Sequence, residues 1–183
     1  MVYIHLADGF EEVEALTIAD LLRRAEIPCA LVSVTGNKTV TGAHGIRVES
    51  DILFEDAEYT ACEMIVLPGG LPGAYGLRDH EGLGKKIVEF AREDRPLAAI
   101  CAAPLVFGKL GILQGRKAAI YPGMESFLEG GIPVREPVVR DGNLITAQGP
   151  AFAMEFALEV TAFLKGEPAA AAMRKDLLLE KQE

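Results

Sequence analysis

Apolar and polar positions follow two rhythms along this chain, and the switches between them mark its elements. Val2–Ala7 is a short apolar run that Gly9 breaks. Over Glu11–Ala25 the apolar positions recur at helical spacing. Pro28–Val34 is a second apolar run, and Thr39–Leu53, rich in β-formers and glycine, predicts short strands or a hairpin. Glu63–Leu67 predicts a strand that ends in Pro68-Gly69-Gly70, with another break at Pro72-Gly73. His80–Asp94 reads as an amphipathic helix carrying Leu83, Ile87, Val88 and Phe90. Leu97–Ile100 predicts a strand, Pro104–Leu110 a helix and Lys117–Ile120 a strand. Val138–Asp141 and Leu144–Ala147 flank Gly142-Asn143, a hairpin-turn pair. Ala151–Lys165 reads as a helix that Gly166 ends, and Pro168–Leu179 as a last helix. Strands alternating with helices define an α/β sandwich with a mostly parallel central sheet. No repeat, low-complexity tract or linker interrupts 1–183, which reads as one domain.

Parallel sheets bind ligands beyond the carboxyl ends of their strands. Three loops leave such ends: Asp8–Phe10, Pro68–Pro72 and Cys101–Ala103. Cys101 stands where a buried strand turns directly into a helix, and Pro104 fits that helix's first turn. A thiol there faces unpaired backbone N–H groups and the positive end of the helix dipole, which predicts a lowered pKa and a reactive thiolate. The plainer reading is a buried small hydrophobe, the commonest role of a free cysteine.

The carboxylates that open helix Glu11–Ala25 point in different directions. Helical spacing lines Glu14 up with Ile18, Leu21 and Ala25, inside the apolar stripe. Glu12 shares the outer face with Arg23, and Glu11 sits at the edge of the buried face near Leu22. Burial raises a carboxyl pKa, and a neighbouring thiolate raises it further. A neutral Glu14 then donates a hydrogen bond to a Cys101 thiolate or shuttles a substrate proton. The alternative is a capping role at a helix start. The glycines at 69 and 70 let backbone N–H groups approach a ligand, and with the Ala102 amide they form an oxyanion hole; alternatively they only make a tight turn. Neither a P-loop nor GxGxxG is present.

Composition removes several classes. Half the residues are hydrophobic and a quarter charged, which argues against disorder. A net charge of −9 with no basic cluster disfavours nucleic acid and anionic membranes as partners. The start reads as a strand and not as a signal peptide, and Leu97–Gly108 is too short to span a bilayer. Cys29, Cys62 and Cys101 have no regular spacing, and an odd count of this kind indicates free thiols in a cytoplasmic setting. Cys29 lies in a strand and reads as core, whereas Cys62 lies in a loop. No histidine follows Cys101, so a Cys-His triad with a downstream histidine is excluded. His5, His44 and His80 lie in separate segments, so no metal site is predicted.

The landmarks Asp8-Gly9-Phe10-Glu11-Glu12-Val13-Glu14, Val66-Leu67-Pro68-Gly69-Gly70, Ala98-Ala99-Ile100-Cys101-Ala102-Ala103-Pro104 and Gln148-Gly149-Pro150 occur in one order. In that order and spacing the chain resembles the ThiJ/PfpI superfamily, in its Parkinsonism-associated DJ-type deglycase branch, over roughly residues 3–175. The resemblance implies a flavodoxin-like three-layer sandwich that forms homodimers. It implies Cys101 as nucleophile, Glu14 as its protonated partner, and amides of Gly70 and Ala102 that hold an oxyanion. It also implies a cofactor-free glyoxalase or deglycase acting on methylglyoxal, glyoxal or early glycation adducts. Other members are implied to act as oxidation sensors or holdase chaperones. The pocket would include Tyr121, His44, Arg24, Gly149 and Pro150. Two positions depart from the family pattern: Tyr121 stands where relatives often carry a histidine, and His44 where they often place an arginine in an anion pocket. A tyrosine is a poor base near neutral pH. His44 also fits an exposed turn residue, and Arg24 matches a basic residue at the same interface.

Overall fold

The computed structural model describes residues 1–179. The last four residues of the predicted domain, 180–183, lie outside the described residues. In chain order the elements are β1 (Val2–Leu6), α1 (Glu12–Arg24), β2 (Cys29–Ser33), β3 (Thr39–Thr41), β4 (Arg47–Glu49), β5 (Ile52–Leu53) and β6 (Met64–Leu67). There follow α2 (Gly73–Asp79), α3 (Glu81–Arg92), β7 (Leu97–Ile100), α4 (Pro104–Lys109), β8 (Lys117–Ala118), β9 (Ile132–Pro133), β10 (Val138–Asp141), β11 (Leu144–Ala147), α5 (Ala153–Lys165) and α6 (Glu167–Asp176).

Seven strands form the main sheet in the order β10-β11-β7-β6-β1-β2-β5. Its pairs are parallel apart from the β10–β11 hairpin, where Gly142 takes φ 60°. The central strands β1, β6, β7 and β11 are buried along their whole length, as strands covered by helices on both faces must be. Helices α1, α5 and α6 pack together as one layer, and α2 packs with α3 and α4 as the other. Phe10, Phe90, Phe107 and Phe156 are fully buried, each contributing about 1.5–3 kcal/mol. The chain therefore has the predicted flavodoxin-like three-layer architecture.

Three local expectations change. Helix α2 occupies a stretch that reads as a break, because Gly73 and Gly76 lower helix propensity. Both glycines are needed for packing: a Cβ on Gly73 would stand 2.6 Å from the Phe10 nitrogen, and one on Gly76 2.9 Å from Cβ of Ala7. The predicted strand Lys117–Ile120 shortens to β8, which pairs with β9 in a separate two-stranded sheet. Helix α5 starts at Ala153, after a single 3-10 turn over Pro150–Phe152.

Strands β7, β6 and β1 are neighbours, so the three loops singled out above leave the same end of the sheet side by side. The Glu11 amide donates to the Gly69 carbonyl at 2.9 Å, and the Gly73 amide to the Gly9 carbonyl at 3.1 Å. These bonds join the first two loops into one support.

Candidate active site

Strand β7 delivers Cys101 into the third loop with φ 62°. That left-handed conformation costs a non-glycine residue about 1–3 kcal/mol. It is held by two backbone bonds: the Cys101 amide donates to the Ala147 carbonyl at 2.9 Å, and the Tyr121 amide donates to the Cys101 carbonyl at 2.9 Å. The side chain is thereby turned out of the strand and towards the glycine loop. Only 8% of the residue remains exposed.

Glu14 reaches the same point from the first turn of α1. It is fully buried, and its Oε2 accepts the Gly69 amide at 2.7 Å. Its Oε1 has no hydrogen-bond partner of its own. Gly69 is the contact between acid and thiol. A Cβ there would lie 2.6 Å from Cβ of Cys101, 2.9 Å from Glu14 Oε2 and 3.0 Å from the Ala102 nitrogen. The expected oxyanion hole is corrected at one position, because the Gly69 amide is already committed to Glu14. The amides of Gly70 and Ala102 are the ones that favour a negative charge on the Cys101 sulfur.

Burial pushes the Glu14 carboxyl up to about 7, against the pull of the Gly69 amide and the Cys101 thiol. Burial, followed by the negative charge of Glu14, pushes the Cys101 thiol up to about 12. The sequence predicts the opposite direction for the thiol. Helix α4 has only six residues and offers a weak dipole, which burial and the charge of Glu14 outweigh. Protonating Glu14 removes the repulsion and makes the contact a donated hydrogen bond. The pair therefore holds one negative charge and one proton between two groups.

Tyr121 and Gly149 meet at the next edge of the site. A Cβ on Gly149 would lie 3.4 Å from the Tyr121 ring, in ordinary van der Waals contact with it. Tyr121 is 49% exposed. Pro150 follows as the first residue of the 3-10 turn that leads into α5.

His44 lies on the opposite rim, in the exposed loop between β3 and β4. Its Nδ1 is 2.8 Å from Glu12 Oε2 and 3.8 Å from Glu11 Oε2. The Glu12 bond, followed by the charges of Glu11 and Glu12, raises its pKa. Glu12 itself is 4% exposed, which corrects its assignment to the outer face beside Arg23. The β3–β4 loop folds over the start of α1 and buries a side chain that helical spacing alone turns to solvent. One atom each of Glu11, Glu12 and His44 lie within 4.8 Å of one another, the composition of a small cation site. Residues distant in sequence converge there, so the spacing of the histidines gave no sign of it.

Arg24 does not belong to the pocket. It ends α1, pairs with Asp20 at 2.7 Å and lines a groove with Lys165 and Met173. At 1.5 Å per residue it stands about 15 Å along the helix from Glu14. Cys62, expected in a loop, is buried and donates to the Met64 carbonyl at 3.3 Å.

A parallel α/β sandwich with a strained cysteine at a strand-to-helix turn and a buried acid beside it defines a class of protein. The family profile described as DJ-1/PfpI matches residues 1–162, and the chain belongs to that family. It is 38% identical to Protein DJ-1 homolog B of Arabidopsis thaliana over 87% of this chain, but spans only 36% of that longer protein. It is 30% identical to the glutathione-independent glyoxalase DJR-1.2 of Caenorhabditis elegans, covering 93% of this chain and 91% of that one. Among solved structures, oxidized Toxoplasma gondii DJ-1 superposes with a TM-score of 0.93 at 32% identity over 97% of both chains.

Proposed function

We propose that this protein is a cofactor-independent glyoxalase that converts methylglyoxal or glyoxal to a hydroxy acid, with early glycation adducts as further substrates. The observation that carries this reading is the Glu14–Gly69–Cys101 contact, in which a carboxyl with a pKa of about 7 touches a thiol. Glu14 takes the Cys101 proton as the sulfur attacks the aldehyde carbon of methylglyoxal, and passes it to the new alkoxide to give a hemithioacetal. The Gly70 and Ala102 amides stabilise the oxyanion as it develops. Glu14 takes the proton from that carbon and returns one to the neighbouring carbon through an enediol. The first carbon is oxidised, the second is reduced, and a thioester results. Water hydrolyses it to lactate and frees the thiol. The shift needs one group that accepts and donates near neutral pH, and Glu14 has that property. The name of the nematode relative supports the same reaction. Three free cysteines support a reducing, cytoplasmic setting.

The test is lactate formation from methylglyoxal without glutathione in amine-free buffer. Wild type is expected to turn over, Cys101→Ser to fall to background, and Glu14→Gln to lose at least about 100-fold in kcat. Unchanged turnover in Glu14→Gln overturns the acid's role.

A second reading is redox sensing or holdase activity, favoured by the two amides that support a negative charge on the sulfur. They would equally hold the oxygens of a Cys101 sulfinate. In that case low equivalents of peroxide add two oxygens to Cys101 while aldehyde turnover stays at background.

A further inference from the structure

The cavity beside the Cys101 loop has no part in the chemistry above. It is half open to solvent, has a volume of about 540 Å³ and is lined by Ile120, Pro122, Glu125, Val134, the exposed Arg135 and Gln148, among others. Two of its lining residues adjoin the site along the chain. Ile120 precedes Tyr121, whose amide bonds the Cys101 carbonyl, and Gln148 precedes Gly149, which lies near the Tyr121 ring. Strand register sets Arg135 in place. β8 and β9 pair Lys117 with Ile132 and Ala118 with Pro133, and the Val134 amide continues onto the Ala118 carbonyl at 3.0 Å. The same offset brings Arg135 alongside Ile120.

The polar groups of this cavity are unevenly matched. Glu125 turns its Oε2 onto the Gly123 amide at 2.9 Å. Arg135 makes no ion pair or hydrogen bond among the described residues, and neither does the Gln148 side chain. A guanidinium without a carboxylate presents a planar fork of donors that matches a carboxylate in two bonds. A carboxamide beside it adds a further donor.

We infer that the cavity is a second subsite, in which Arg135 and Gln148 bind the carboxylate of an arm carried by the α-oxoaldehyde whose aldehyde carbon meets Cys101. The inference rests on the glyoxalase reading and specifies its substrate class: a dicarbonyl with an acidic tail, turned over faster than methylglyoxal itself.

The probe is 4,5-dioxopentanoate, which is methylglyoxal with a carboxyethyl arm in place of its methyl group. Its isomerisation and hydrolysis yield 2-hydroxyglutarate. The neutral control is 2-oxopentanal, of equal carbon count. Wild type is expected to favour the acidic arm over the neutral one by about tenfold in kcat/KM, the scale of a charged hydrogen bond. Arg135→Met is expected to abolish that preference, Arg135→Lys to keep part of it, and methylglyoxal turnover to stay unchanged in both. No preference in wild type, or the same preference in Arg135→Met, overturns the inference. Calorimetric binding of 2-hydroxyglutarate separates the two readings. Binding that Arg135→Met weakens, with no turnover of any aldehyde, keeps the subsite and removes the glyoxalase. Turnover of methylglyoxal without any effect of Arg135 does the reverse.

Discussion

Two buried titratable residues set the pH behaviour of this protein in opposite directions. Glu14 has a folded pKa of about 7 against an ordinary value of 4.5. The folded state therefore binds its proton more tightly than the unfolded state does. Its stabilising contribution is complete below pH 4.5 and is lost as pH rises through 7. His5 is fully buried on β1, where its Nε2 meets the Tyr59 hydroxyl at 2.6 Å and its Nδ1 has no partner. Burial lowers its pKa from 6.5 to about 3. The folded state binds that proton less tightly, so stability is complete above pH 6.5 and falls as pH drops towards 3. At 1.36 kcal/mol per pKa step, the two differences correspond to about 3 and about 5 kcal/mol at most. Urea denaturation from pH 4 to 9 reads both. Glu14→Gln is expected to be more stable than wild type at pH 8.5 and to lose that advantage at pH 4.5. His5→Gln is expected to flatten the acid limb. Parallel profiles for variant and wild type contradict the assignment.

At the scale of elements, the hairpin of β3 and β4 depends on one buried carboxylate. Glu12 accepts the His44 amide at 2.8 Å, the Ile46 amide at 3.4 Å and His44 Nδ1 at 2.8 Å. Gly42 presses against it so closely that a Cβ would lie 2.3 Å from the carboxyl carbon. The Ala43 amide adds a bond to the Phe10 carbonyl, tying the loop to the support under the active site. Glu12→Ala is expected to loosen residues 42–46 and leave the sheet intact. Hydrogen exchange should then accelerate in that loop by the loss of about 1–3 kcal/mol of local protection, with β1 and β6 unaffected. Glu12 also shows where reading the chain fails. Glu14 was legible because helical periodicity places it on the core stripe whatever surrounds the helix. Glu12 was not, because its burial comes from a hairpin thirty residues away in the chain. The same distinction separates Cys101, marked by an apolar strand running into Pro104, from Arg24, whose position depends on which end of α1 meets the pocket. Helix α2 was missed because its glycines serve packing against the first loop at the expense of local propensity.

At the scale of the molecule, part of the apolar surface that stays exposed lies near the start of α1. Val13 is 54% exposed and Leu16 39%, one turn apart on α1, and Ile46 is 54% exposed. The Ile46 amide bonds Glu12, which brings its backbone close to the start of α1. Exposed apolar side chains clustered in this way mark an interaction surface, and the one expected here is a second copy of the chain, as the family resemblance implies. A two-fold axis on this face would set His44, with its paired acids, at the boundary between protomers and close to each mouth. Light scattering after size-exclusion chromatography is expected to give twice the chain mass for wild type. A Val13→Glu, Leu16→Glu double variant is expected to give the monomer mass, because each interface would then bury four new carboxylates against apolar surface. Neither position touches Cys101 or Glu14 in the geometry described above, so the comparison of turnover between the two forms shows what the second copy does. Retained kcat with a raised KM in the monomer places the partner at the mouth of the pocket. Unchanged kcat and KM leave the site complete within one chain, and a dimer mass for the double variant moves the interface to another face.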